Sequence, residues 1–324
     1  MLRLYGLINT GNSMEDKGTL WLPESASTFS GEVDALFYFI YWVSVVLFIG
    51  VMGAMGYFAY RYRRRSEADR PQPIKESKLV EASWVVVPTI LVAIVFTWGF
   101  EVFIKMGVAP PNAYEVTVRA SKWSWLFEYP NGARSNELHV PVSRPVKLKM
   151  SSSDVLHSFF VPSFRVKQDV VPNRYTYVWF EATRQDTFQV LCTEYCGQQH
   201  STMLAPVVVQ SQDDFNNWLD ESLIDESATP AERGQLLYRQ QGCDSCHKLD
   251  GSAEAAPSFQ GLFGSQRPFD DGTTATADEN YLRESIVNPA AKLVQGFPSN
   301  MPGQFGALLS SEEIDALVAF IKEQ

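Results

Sequence analysis

Four cysteines in 324 residues are too few to imply a disulfide framework in a chain long enough for two compact domains plus membrane segments. Histidine is equally scarce, at four. Basic charge is short as well: the formal net charge is −10, and residues 205–324 hold 19 Asp and Glu against 7 Lys and Arg, which leaves a slight positive balance before them. That distribution argues against a nucleic-acid ligand. It suits a cationic protein partner, because complementary charge raises the rate of encounter. Residues 1–32 lack the succession of basic, apolar and small residues that marks a conventional signal peptide, and they hold no cysteine for a lipid anchor. They are expected to form an external, irregular N-terminal segment.

Charge is then missing where it matters most. From Ala35 to Tyr60 there are 26 residues without a charged side chain, and from Ala82 to Phe100 another 19. At about 1.5 Å per residue the first run exceeds the ~30 Å hydrocarbon core of a bilayer. The two predict a transmembrane helical hairpin over residues 33–104, with helices at about 33–60 and 81–104 and a loop at 61–80. Arg61, Arg63, Arg64, Arg65, Arg70, Lys75 and Lys78 between the spans place that loop in the cytoplasm and both chain ends outside. Pro88 falls inside the second span, where neighbouring helices can accommodate a kink.

Residues 113–210 read as β structure. Tyr114–Val118, Trp123–Phe127, Val146–Met150, Tyr175–Phe180, Thr187–Leu191 and Val207–Gln210 are short, rich in β-branched and aromatic residues, and separated by Pro, Gly and Asn. The spacing predicts an antiparallel sandwich.

Among these strands lies a dense supply of soft metal ligands, Cys192-Thr-Glu194-Tyr-Cys196-Gly-Gln-Gln-His200-Ser-Thr-Met203. His157 upstream adds a second imidazole. Structural zinc would use two Cys and two His and leave Met203 idle. A mononuclear blue copper would leave one cysteine idle. Two coppers use the whole inventory: both thiolates bridging, one imidazole each, Met203 axial on one and a backbone carbonyl between the cysteines, at Glu194, axial on the other. A helix over 192–203 would merely align the i, i+4 positions, but Gly197 and the strand-like Phe188–Leu191 favour a loop.

Ser211 opens a short helix with Phe215, Trp218 and Leu219 on its apolar side, and a polar connector follows, so residues 213–228 are expected to be a linker. Thr229-Pro-Ala-Glu232 starts a second unit as N-cap, proline at the first helical position and capping-box acid. Within it, Cys243-Asp-Ser-Cys246-His247 is the c-type haem attachment string, two thioethers and a proximal histidine. A thioredoxin-like dithiol would need a βαβ setting that is missing here. No histidine follows residue 247 and Met301 is the only methionine beyond residue 204, so Met301 is the expected sixth ligand. A Met/His haem has a raised potential suited to electron transfer. Ser310-Ser-Glu-Glu313 caps a last helix carrying Ile314, Leu317, Val318 and Ile321.

The Cys-x-Glu-x-Cys-x-x-x-His-x-x-Met string, together with Asp154-Val-Leu-His157-Ser and the aromatic run Lys122-Trp123-Ser-Trp125-Leu-Phe-Glu-Tyr129, resembles the binuclear copper domain of cytochrome c oxidase subunit II, over about residues 30–210. Residues 229–324 resemble a small cytochrome c domain. The resemblance implies a multidomain membrane protein: the two-helix transmembrane hairpin, an all-β cupredoxin-like barrel at 105–212, the linker helix and connector at 213–228, and an all-α cytochrome c domain at 229–324. It implies a binuclear CuA centre on His157, Cys192, Glu194, Cys196, His200 and Met203, and haem c on Cys243, Cys246, His247 and Met301.

Function follows from the same resemblance. Electrons from a basic cytochrome c or another respiratory donor would pass from haem c to the copper pair and on to subunit I, where oxygen is reduced to water. Subunits I and III would be partners in a bacterial cell membrane, with the copper and haem domains on the periplasmic side. Trp123 matches the tryptophan at which electrons from soluble cytochrome c arrive, though a strand aromatic is also ordinary core or interface packing. The Glu194 carboxylate resembles one that reaches magnesium or manganese at the subunit I interface, and Asp154 is expected to support a ligand or that interface. Glu81 matches a carboxylate near the start of a proton pathway, or simply complements a helix N-terminus. A copper-containing nitric oxide reductase subunit and a membrane-tethered zinc and haem sensor stay open as alternatives. The copper ligands argue against the quinol-oxidase variant.

Overall fold

The two charge-free runs fold as α1 (Ser30–Arg61) and α2 (Lys78–Gly107). Both outrun the predicted bounds because the polar residues flanking each run continue the backbone hydrogen-bond ladder rather than leave its ends open. Their large apolar side chains are exposed along most of their length, an arrangement that lipid accepts and water does not. α2 is continuous through Pro88, and the neighbouring Thr89 hydroxyl donates to Val85 O at 2.6 Å. The computed structural model describes residues 18–324 apart from 71, 72, 74, 224–226, 254, 255, 298–300, 302 and 304. Part of the N-terminal segment, part of the connector after Leu223 and the neighbours of Met301 therefore lie outside the described residues. The chain divides into two units, 1–108 and 109–324.

The second unit begins with ten strands: β1 (Tyr114–Ser121), β2 (Ser124–Glu128), β3 (Arg134–Ser135), β4 (Leu138–Pro141), β5 (Pro145–Ser152), β6 (His157–Val161), β7 (Val166–Val170), β8 (Thr176–Glu181), β9 (Asp186–Cys192) and β10 (Leu204–Gln210). They form two five-stranded sheets, β3-β2-β1-β5-β8 and β4-β10-β9-β6-β7. Alternate residues of β5 point inward, so Val146, Leu148 and Met150 meet Phe159, Phe164 and Phe180 in a core closed to water. The sandwich is mixed rather than wholly antiparallel: β1 runs parallel to β5 and β4 parallel to β10. Strand spacing in a sequence carries no direction, and here three intervening strands carry the chain back beside β1 in the same sense.

α3 (Gln212–Glu221) starts where Ser211 accepts from Asp214 N and then packs onto the sandwich. Phe215 is buried against Tyr114, and Trp218 lies flat on His139 with centroids 3.9 Å apart and planes 9° apart. Burial holds the His139 imidazole below its ordinary pKa, against hydrogen bonds with Gln210 and Glu137.

The remainder comprises α4 (Pro230–Gln240), a two-stranded hairpin β11 (Gln266–Pro268) and β12 (Thr274–Thr276), α5 (Glu279–Val287), α6 (Phe305–Leu308) and α7 (Ser311–Lys322). The hairpin is a small addition to the expected helices. Thr229 with Glu232, and Ser310 with Glu313, form the two capping boxes where the sequence placed them. Leu237, Tyr238, Leu317, Phe320 and Ile321 fill the space between α4 and α7. Gly234 lets the two backbones touch, since a Cβ there would stand 2.0 Å from Ala316 O and 2.7 Å from Phe320 Cβ. Gly234→Ala is therefore expected to push α7 away and destabilise this region by about 1–3 kcal/mol. Calorimetry of the haem-loaded chain checks this, and an unchanged melting midpoint contradicts it.

Candidate functional site

Strand β9 ends at Cys192, and a loop carries the chain to a short turn at His200–Thr202 before β10 begins. The loop folds back so that the two sulfurs lie 3.8 Å apart. His157, at the start of β6, presents Nδ1 to Cys192 Sγ at 3.9 Å. His200 presents Nδ1 to Cys196 Sγ at 3.4 Å, and Met203 Sδ lies 3.7 Å from the same sulfur. Glu194 O stands 3.4 Å from Cys192 Sγ. Every residue that the sequence nominated for this cluster is thus brought together, and His157, Cys192, Cys196 and Met203 are buried.

Two thiols in this position cannot both ionise unaided. Burial pushes both up. At Cys192, hydrogen bonds from His157 and from nearby backbone outweigh it, so this thiol falls below its ordinary range. At Cys196, burial and the charge of Cys192 act together and the thiol rises. A bound cation would remove the second proton. Asp154 fixes the other ligand: its Oδ1 lies 2.8 Å from His157 Nε2, which leaves Nδ1 as the metal donor. Burial opposes ionisation of both groups, but the mutual contact raises the imidazole pKa and lowers the carboxyl pKa. Asp154 Oδ2 also accepts from Lys122 N at 2.7 Å. Two thiols, two imidazoles, a thioether and a carbonyl fit copper, the soft metal that such sulfur-rich sets favour.

The haem-attachment string lines a cavity with Met301. Cys243, Cys246, His247 and Met301 share it with the apolar walls Phe259, Leu262, Ile286, Val294, Phe297 and Phe305. His247 Nδ1 donates to Pro257 O at 2.8 Å and its ring stacks on Phe259, so Nε2 is left as the iron donor. Burial lowers the His247 pKa and keeps the ring neutral. Arg267 Nε and Gln241 Nε2 are buried without a hydrogen-bond partner among the described residues, and both residues line the cavity. Unpaired buried donors suit a group that carries carboxylates, as haem does.

Trp123 occupies the two-residue turn between β1 and β2 instead of the predicted strand position, and it meets both sites. On one side it packs on Gly197 of the cysteine loop, where a Cβ would stand 3.2 Å from Trp123 Cζ2 and where φ is +122°. On the other side Lys122, Trp123, Ser124 and Gln199 line the haem cavity. Trp125 is core, edge-on to Phe159. Glu81 lies in the first turn of α2. The sequence carried no signal for Gln199 or Ser124 as cavity wall, since neither residue type nor spacing marks them.

Three family models match the chain: cytochrome c oxidase subunit II, transmembrane domain, over residues 15–102; cytochrome c oxidase subunit II, periplasmic domain, over residues 132–212; and cytochrome c over residues 231–324. Cytochrome c oxidase subunit 2 of Thermostichus vulcanus is 31% identical over 252 residues, covering 61% of this chain and 77% of that one. The subunit 2 of Bacillus subtilis is 29% identical over 297 residues, covering 82% and 81%. The periplasmic domain of subunit II from Bradyrhizobium japonicum, a solved structure, is 26% identical and covers 36% of this chain and 96% of that one, with a TM-score of 0.35. The matched domains imply copper and haem c, and the two apolar helices make this a membrane protein with a periplasmic domain. The chain belongs to the cytochrome c oxidase subunit II family, carries a C-terminal cytochrome c domain, and is a component of an oxidase complex.

Proposed function

We propose that this chain is the electron-accepting subunit of a bacterial respiratory oxidase, passing electrons from haem c to a binuclear CuA centre and on to subunit I for reduction of oxygen to water. One observation carries the reading: the indole of Trp123 lies against the cysteine loop at Gly197 and also on the wall of the cavity formed by Cys243, Cys246, His247 and Met301. His157, Cys192, Cys196, His200, Met203 and the Glu194 carbonyl hold two coppers, and the buried Met203 thioether is what a zinc site would leave unused. Cys243 and Cys246 attach the haem, and His247 and Met301 bind its iron. When bound, the two groups supply one-electron chemistry, and the chain's part is to bind, orient and shield them.

The inner-membrane hairpin comprises α1 and α2, Ser30–Arg61 and Lys78–Gly107, the copper domain follows to about residue 212 and the cytochrome spans 229–324, with subunits I and III and a basic donor as partners. The test is flash reduction of haem c in the chain loaded with both groups. Haem oxidation is expected to coincide with loss of the oxidised copper absorption, and Trp123→Phe to slow it several-fold while both resting spectra stay as they were. Transfer at the wild-type rate in Trp123→Phe excludes the indole route, and absence of transfer in the wild type excludes the function.

Glu81 is assigned to proton uptake on the cytoplasmic side and the Glu194 carboxylate to a magnesium or manganese ion at the subunit I interface. In the assembled oxidase Glu81→Gln is expected to lower turnover, most at alkaline pH, and Glu194→Gln to lower manganese content. Turnover unaltered at every pH, or an unaltered metal content, contradicts the respective assignment.

A further inference from the structure

The copper and cytochrome domains are joined by more than the covalent chain. Arg119 Nε lies 3.0 Å from Glu128 Oε2, Arg134 Nε lies 3.5 Å from Glu128 Oε1, and Arg134 Nη1 lies 3.2 Å from Glu313 Oε1. The first three residues stand on β1, β2 and β3 of the sandwich, and Glu313 stands in the first turn of α7. The result is a row of alternating charge that crosses from one domain to the other. Glu313 divides its carboxylate: Oε2 accepts from Ser310 N and closes its own helix cap, and Oε1 faces Arg134. Beside the row, a Cβ on Gly242 would be 3.8 Å from the Asn136 side chain. Asn131 Nδ2 donates to Leu219 O at 3.2 Å and Gln240 Nε2 donates to Ser222 O at 2.9 Å, so the end of α3 is held by the sandwich on one side and by α4 of the cytochrome domain on the other.

The charges of the two domains are matched to this contact. Residues 109–204 carry ten Lys and Arg against eight Asp and Glu, and residues 229–324 carry seven against thirteen. Pairs as exposed as these are weak and salt-screened: the side chains of Arg119, Glu128, Arg134 and Glu313 retain 47%, 20%, 33% and 24% of their accessible surface. Between untethered proteins such a row would accomplish little. Here α3 ends at Glu221 and α4 begins at Pro230, and a tether that short keeps the local concentration of one domain at the other high, so weak contacts suffice.

We propose that the row Arg119–Glu128–Arg134–Glu313 is an electrostatic latch that docks the cytochrome domain on the copper domain, with Trp123 closed between the two sites, and that salt releases it. This rests on the function proposed above and concerns how the donor domain is presented. Because the latch is weak, the docked arrangement is a salt-dependent population rather than a permanent interface.

The test uses the full chain loaded with haem and copper, with Arg134→Gln, Glu313→Gln and the double variant. Glutamine at 313 keeps the capping box, so loss of fold does not explain the result. Two readouts are taken across an ionic-strength series: the rate of electron transfer from haem c to copper, and hydrogen exchange of residues 122–124. In the wild type, salt is expected to slow transfer and speed exchange. Each single variant is expected to show, already at low salt, a rate several-fold below wild type with little further salt dependence, and the double variant to be no slower than either single one. Single variants with the wild-type rate and the wild-type salt profile, or effects that add in the double variant, overturn the latch. Failure of transfer in the wild type would strike the underlying function instead.

Discussion

Two thiols held 3.8 Å apart and shielded from water impose the constraint on which this part of the molecule depends. Hydrogen bonds from His157 and the backbone lower the Cys192 thiol, whereas burial and the charge of Cys192 raise the Cys196 thiol. A cation placed at the two sulfurs would remove the second proton, so the donor set of this loop suits a metal. The remaining donors are aimed accordingly. Asp154 turns the His157 ring, the turn His200–Thr202 sets Met203 beside Cys196 just ahead of β10, and Gly197 permits the backbone conformation that brings Cys196 back towards Cys192.

The sandwich supplies rigidity where geometry must survive a change of charge. His157 and Cys192 come from adjacent strands of one sheet, β6 and β9, and the core behind them contains Trp125 and Phe159. Ligands mounted on paired strands move less than ligands mounted on loops. The cytochrome region is built on helices: Gly234 lets α4 lie against α7, and Pro257 O fixes the tautomer of the His247 ring. Tyr238, from α4, also donates its hydroxyl to His247 O. Trp123, displayed from a two-residue turn, is the group that both regions share.

Much of this was legible in the sequence because the chemistry demands unusual residues at short spacing. Two cysteines, a histidine and a methionine within twelve residues, or Cys-x-x-Cys-His, have few other uses, and capping boxes at Thr229 and Ser310 mark helix starts through a local hydrogen-bond pattern. Long charge-free runs announce membrane helices in the same way. What was not legible is non-local. The parallel pairings of β1 with β5 and of β4 with β10 depend on how loops cross the sandwich, and the placement of α3 on that sandwich depends on which aromatic residues meet across it. Strands β3, β4, β6 and β7 carry no clear signal: β3 is two residues long, β4 and β6 are covered on both faces and so lack alternation, and the middle of β7 is Lys-Gln-Asp. The pairing of Arg134 with Glu313 joins residues 179 positions apart, and no sequence pattern marks two ordinary surface charges as partners.

The most direct test of the account is metal analysis of the purified, haem-loaded chain together with electron paramagnetic resonance and visible to near-infrared spectra. Two coppers per chain sharing one unpaired electron, beside a low-spin c-type haem, is the predicted result. One zinc per chain with no such signal would contradict it and turn the Cys192 to Met203 loop into a structural site.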